Sequence, residues 1–319
     1  MRRLRRLQLF SPVMAAGLLL AALDAAPSAR ESTAQNVNPS TPHPLNSSNA
    51  HRLTTDGHQK QHPAWSPDGK LLGFTIYLKG KVGVVQMTPG DAEWKHITTF
   101  DENPEYEPSW SLDGKRIVFV HVALQGTDGQ LEIHTMNADA SDSKRIVTPA
   151  KRPAQDEHPA WSPDGKTIAF TTTRDANQEI YLCDPDGGNM RRITSHPGID
   201  SHPTWSTDGK QIAFCSSRYG NMEICVMNAD GSEIRRLTDH PAMDYQPKWS
   251  TDGKHIAFTS TRDGNYEIYL IRPDGTALRN LTQLDAVDKD PAWTPDGLHV
   301  TFVSNRDGKF DLYNCPIAP

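Results

Sequence analysis

Beyond residue 29 this 319-residue chain holds no apolar run approaching the roughly 18–20 residues that cross a bilayer as a helix. The longest apolar stretch, Val13 to Leu23, is too short to span. It follows Arg2, Arg3, Arg5 and Arg6 and precedes the small residues Ala25, Ala26, Ser28 and Ala29. That order marks residues 1–29 as a secretory signal peptide and predicts a periplasmic or secreted protein without a membrane span. No cysteine lies near the cleavage region, which argues against a lipid anchor. Basic tracts are missing as well. Lys and Arg number 33 against 39 Asp and Glu, and four of the arginines belong to the leader, so neither nucleic acid nor an anionic membrane surface is an expected partner.

Cysteine is scarce, with four in the chain and no Cys-x-x-Cys pair to hold a metal. Cys215 and Cys225 flank one predicted hairpin. They are either a cross-strand disulfide or two small buried apolar residues. Also missing are a Gly-x-Ser-x-Gly nucleophile elbow, a phosphate loop and a cofactor fingerprint, so no cofactor is expected. Residues 30–50 are rich in Pro, Ser, Thr and Asn, lack periodic apolar positions and read as a flexible linker.

What is present is a repeat. Trp65, Trp110, Trp161, Trp205, Trp249 and Trp293 each sit in one phrase, such as His62-Pro-Ala-Trp-Ser-Pro-Asp-Gly69 and Gln246-Pro-Lys-Trp-Ser-Thr-Asp-Gly253, at spacings of 45, 51, 44, 44 and 44. A phenylalanine follows each tryptophan nine residues later, from Phe74 to Phe302. Within one copy, Tyr245–Ser250, His255–Ser260, Glu267–Ile271 and Leu278–Thr282 read as four short strands separated by Gly turns. Pro247, lacking an N–H, places the first of them at a sheet edge. A period in the low to mid forties built from four strands is a propeller blade. The prediction is an all-β, six-bladed β-propeller of four-stranded antiparallel blades over residues 51–319, with Trp and Phe packed between blades. Arg52-Leu-Thr54 resembles the fourth strands, whereas the last copy stops after its third, Phe310–Cys315. The N-terminal strand should therefore complete the last blade and close the ring.

The phrase His-Pro-x-Trp-Ser-Pro-Asp-Gly-Lys-x-Ile-Ala-Phe, followed by Ser-x-Arg-Asp-Gly-x-x-x-Ile-Tyr, resembles the TolB family of six-bladed propellers over about residues 51–315. The resemblance implies a periplasmic protein of the Tol–Pal envelope system whose propeller face docks the lipoprotein Pal. Members carry an α/β domain before the propeller, where this sequence shows the short linker.

Strand direction puts the residues before each tryptophan on one face with the Arg-Asp-Gly turns. Three before Trp stand His62, Glu107, His158, His202, Gln246 and Asp290; four before stand Tyr106 and Tyr245 among others; five before stand Lys60, Glu105, Asp156, Asp200, Asp244 and Asp288. This polar collar is expected at the channel mouth. It holds either a protein or peptide partner or a divalent cation, or else satisfies backbone groups of neighbouring blades. His62, His158 and His202 are the metal candidates, and a metal-dependent hydrolase or lyase using them is the alternative to a monomeric non-catalytic scaffold. Arg174, Arg218, Arg262 and Arg306 precede Glu179, Glu223, Glu267 and Asp311 by five residues, a spacing that predicts cross-strand ion pairs.

Overall fold

The computed structural model describes residues 49–124, 129–147 and 154–317. The predicted signal peptide and nearly all of the predicted linker lie outside the described residues.

Six four-stranded antiparallel sheets form the ring; in five of them the strands pair in chain order from the channel outward, and in the sixth the N-terminal strand takes the outermost place. Blade 3 is representative. Its first strand, Asp156–Trp161, pairs with Ile168–Thr172, then Glu179–Cys183, then the two-residue strand Arg191–Arg192. Every residue of the middle two strands is buried. Both faces of a middle strand are covered by adjacent blades, which is why these segments are buried throughout instead of on alternate residues. The fourth strands are shorter in the ladder than the sequence pattern predicted: Arg279–Asn280 pairs, whereas Leu281 continues through a single bond to Ile268 O.

The core is divided among the blade interfaces. Trp161 packs with Val118, Val120 and Ile133 of blade 2 and with Ile168 and Phe170 of its own blade. Trp249 packs with Ala213, Cys215 and Ile224 of blade 4. The six phenylalanines are fully buried. Each Trp-Ser-x-Asp-Gly turn is held by its aspartate. In blade 1 the Ser66 hydroxyl and Lys70 N both donate to Asp68 Oδ1, and these bonds hold the Asp68 carboxyl below its usual range.

Closure follows the predicted route. His51 and Arg52 pair with Asn314 and Tyr313, and Leu53 N donates to Leu312 O at 2.7 Å. Side chains lock the seam. Arg52 Nη2 lies 2.6 Å from Asp311 Oδ2, the Thr54 hydroxyl donates to Asp311 Oδ1 at 2.7 Å, and the fully buried Lys60 ammonium lies 3.0 Å from the same oxygen.

One open alternative is decided and one expectation is overturned. Cys215 pairs in register with Ile224 and Cys225 with Phe214, so the pleat sends the two thiols to opposite faces of the blade, and both are free. They are small core residues in separate interfaces. The four turn arginines do not pair with the acids five residues on. Arg174, Arg218, Arg262 and Arg306 reach back to Asp156, Asp200, Asp244 and Asp288 on the first strands, at 3.3, 2.7, 2.7 and 2.9 Å. The acids Glu179, Glu223 and Asp311 take arginines of the fourth strands instead. Four of the residues in the predicted acidic collar are thus buried ion-pair partners within their own blades.

Deleting residues 51–55 should lower the melting temperature sharply, because the outermost strand of the last blade is lost and Asp311 loses Arg52 and Thr54 inside the seam. Circular dichroism melting checks this, and an unchanged midpoint would refute closure by this strand. Trp205→Ala, which empties part of the interface between blades 3 and 4, should cost about 3–5 kcal/mol in urea unfolding.

Candidate functional site

Each first strand breaks its ladder at one place. In blade 3 Glu157 pairs with Thr171 and Ala160 with Ala169, so two residues, His158 and Pro159, stand opposite one. All six blades carry the same β-bulge. Its first residue adopts a left-handed backbone in every copy, with φ of 50, 58, 53, 54, 56 and 56° at His62, Glu107, His158, His202, Gln246 and Asp290. Its second residue is proline, which has no N–H to lose from the ladder. The repeated x-Pro-x-Trp phrase is therefore the sequence signature of a bulge.

The bulge leaves the amide of its first residue without a ladder partner, and the preceding blade supplies one. Glu107 N and His202 N donate to the hydroxyls of Thr75 and Thr171 at 3.0 and 3.2 Å, and Gln246 N points at Cys215 Sγ at 3.2 Å. Blades 2 and 6 carry Val120 and Val303 at that second-strand position and offer no acceptor there. In both, the collar residue itself is an acid and substitutes: His158 N donates to Glu107 Oε2 at 3.1 Å, and His62 N to Asp290 Oδ2 at 3.5 Å. The two carboxylates of the collar thus have a structural task.

These residues occupy the middle of strands such as Lys60–Trp65. They contact one another. The His158 and His202 rings stack with centroids 3.5 Å apart, and Gln246 Nε2 donates to Asp290 Oδ1. Nδ1 of His62 and of His158 lie 3.3 and 3.2 Å from the Thr75 and Thr171 hydroxyls, and Nδ1 of His202 lies 3.1 Å from that of Ser201. Among the described residues no group of three or more His, Cys, Asp or Glu side chains is arranged to hold a metal ion. Stacked rings present faces to each other rather than nitrogens to a common point.

Burial sets the protonation states. It pushes the His202 imidazolium down to about 3, reinforced by Lys248 and His62, and holds His158 well below its ordinary value, reinforced by His202, His62 and Lys248. Burial also raises Glu107 to about 8 and Glu157 to about 7; Lys248 opposes the first shift and the Tyr106 hydroxyl opposes the second. Burial thus favours the neutral forms of the three histidines and of Glu107. Lys248 is an exposed cation one residue before Trp249, where the other blades carry Ala64, Ser109, Ala160, Thr204 and Ala292. Sequence reasoning passed over it, although it is the one long charged side chain in that column.

Toward the Arg-Asp-Gly face the wall becomes aromatic. Tyr106 and Tyr245 are half-buried, joined by Tyr77 and Tyr266. The Tyr106 hydroxyl donates to Glu157 Oε1 at 3.3 Å, Tyr77 donates to Gln61 Oε1 at 3.1 Å, and Tyr245 meets Tyr266 edge-on with centroids 6.2 Å apart.

Glu107 yields a pH test. Its carboxyl keeps its proton in the fold to about 8, whereas the unfolded chain gives up that proton near 4.5. Stability from this group is full below 4.5 and is lost as pH rises through about 8. Glu107→Gln, which retains an acceptor for His158 N, should flatten that loss. The variant should gain more over the parent at pH 8 than at pH 4.5, as read by melting temperature across pH.

Comparisons with known proteins agree with this architecture. The family model described as the TolB beta propeller domain matches residues 143–260 and 239–318, together more than half of the chain. A protein named "Tol-Pal system protein TolB" from Thioalkalivibrio sulfidiphilus is 35% identical over 83 residues, which are 26% of this chain and 18% of that protein. A TolB homolog from Chlorobium luteolum is 34% identical over 129 residues, 40% of this chain and 27% of its own. The matches therefore span less than a third of these relatives' lengths. Among solved structures, TolB from Acinetobacter baumannii superposes with a TM-score of 0.65 at 24% identity, over 74% of this chain and 57% of that one. An oligogalacturonate lyase in complex with manganese superposes with a TM-score of 0.58 at 15% identity, over 86% and 95%, a likeness of fold alone. With six bulged blades closed by the N-terminal strand and a family model covering more than half its length, the chain belongs to the TolB beta propeller domain family.

Proposed function

We propose that this protein is an exported, non-catalytic propeller that binds a protein or peptide partner at the Arg-Asp-Gly face of its channel, in a TolB-like role at the cell envelope. The observation that carries the reading is the tyrosine-lined mouth, Tyr77, Tyr106, Tyr245 and Tyr266, above a collar whose polar groups are largely engaged with one another. Half-buried tyrosines combine apolar area with a polar tip at low entropic cost, which is why they recur at the centres of protein interfaces. Membership of the TolB propeller family supports a Tol–Pal context, with a Pal-like lipoprotein as the partner to try first. The leader-like residues 1–29 support export to the periplasm, and among the described residues no helix is long and apolar enough to cross a membrane. The metal-dependent hydrolase or lyase reading has less support, because His158 and His202 stack and His62 engages Thr75.

Replacing Tyr106 and Tyr245 together by Ala should weaken capture of a Pal-like soluble domain by about 2 kcal/mol or more, roughly thirtyfold, with circular dichroism unchanged. Replacing Asp186 and Asp230, which hold turns on the opposite face, should leave affinity within twofold. Isothermal titration of both variants decides between faces. Loss of binding in the second variant and retention in the first would reverse the assignment.

A further inference from the structure

Four blades carry an arginine on the outermost strand that meets a buried acid of the third strand. Arg145 pairs with Glu132 at 2.5 Å, Arg192 with Glu179 at 2.7 Å, Arg236 with Glu223 at 2.6 Å and Arg52 with Asp311 at 2.6 Å. In blades 3 and 6 the same guanidinium also reaches the aspartate of the upper turn, Asp175 at 3.1 Å and Asp307 at 3.6 Å. Blade 1 has neither partner, since Gly83 stands where the acid would be and His96 where the arginine would be. Arginine and acid therefore occur together or not at all, except in blade 5.

Blade 5 keeps both acids, Glu267 and Asp263, and lacks the arginine. Asn280 pairs with Tyr269 in the register that joins Arg192 to Tyr181 and Arg52 to Tyr313. The donors present are neutral. Glu267 accepts from Asn265, the Thr282 hydroxyl and Leu284 N, and Asp263 accepts from the Tyr269 hydroxyl and Asn280. Arg262 lies over the Tyr269 ring but is committed to Asp244, and its counterparts Arg174 and Arg306 do the same in blades that also hold the outer arginine. Where the guanidinium is missing there is an open cavity of about 520 Å³, lined by Asp263, Glu267, Tyr269, Asn280 and Asp285 among others. Glu267 is buried to 2% exposure.

We propose that this cavity is a receptor for a guanidinium supplied from outside: an arginine side chain of a partner protein or peptide docks between Asp263 and Glu267, in the place the chain's own arginine fills in its sister blades. A planar fork matches the two carboxylates in a way a point ammonium does not. Burial raises the Glu267 carboxyl, an imbalance that an arriving cation relieves. The site lies on the outer rim of the ring and does not depend on the channel-mouth reading.

The test uses the full chain with N-acetyl-arginine amide as probe, followed by chemical-shift perturbation. The parent should show saturable shifts at Tyr269 and Asn280, with N-acetyl-lysine amide at least tenfold weaker. Asn280→Arg, which fills the cavity from within, should melt higher than the parent and lose at least tenfold in probe affinity. The Asp263→Asn, Glu267→Gln double variant should lose binding without the rise in melting temperature. Absence of binding by the parent, equal binding by Asn280→Arg, equal binding of the lysine probe, or a lower melting temperature for Asn280→Arg would each overturn the proposal.

Discussion

A four-stranded blade has two apolar faces and cannot bury either by itself. Everything else in this molecule follows from that constraint. Phe170 and Trp161 are buried only because blades 2 and 3 stand against each other, and the same holds around the circle. The hydrophobic gain is thus realised between repeats, so a gap anywhere would expose two faces at once. The closing seam is fastened by side chains as well as by backbone pairing. A three-residue segment brings Arg52 and Thr54 to Asp311, and the buried Lys60 side chain is placed between that carboxylate and Asp56. Burial alone would raise the Asp311 carboxyl, but Arg52, Thr54 and Lys60 together hold it below its ordinary value.

The architecture was legible in the sequence because its determinants are local and repeated six times. The Trp-to-Phe spacing, the Asp-Gly turns and the offset Leu-Thr strand give blade count, strand count and closure without reference to distant contacts. The ion pairs were misread for the same reason. A five-residue spacing across a turn suggests Arg174 with Glu179, yet the strand order places Asp156 on one side of the second strand and Glu179 on the other. Which neighbour the guanidinium takes is decided by side-chain direction and not by separation in sequence. The bulge was not legible: the first strand reads as unbroken, yet His62 and Pro63 stand opposite one residue, and a left-handed residue ahead of proline turns its side chain without ending the strand. Lys248 needed the alignment of one column across all blades, and the vacancy at Asn280 needed two columns compared together.

The residues lining the channel divide into those answering to the backbone and those that do not. Glu107 and Asp290 answer for the amides of His158 and His62. Lys248 has no such duty, and neither do the tyrosines higher up. Their identities are open to selection by whatever meets that face.

Five bulge amides, those of His62, Glu107, His158, His202 and Gln246, are received by the blade before them, either through a second-strand Thr or Cys or through that blade's own collar carboxyl group. At these five junctions the acceptor is built into the blade that precedes the donor. Exchange between the pair Thr with His and the pair Val with Glu preserves the hydrogen bond while adding or removing one ionisable acid in the channel. The lining can therefore drift in ionisable groups across evolutionary time while the bulge amide keeps an acceptor.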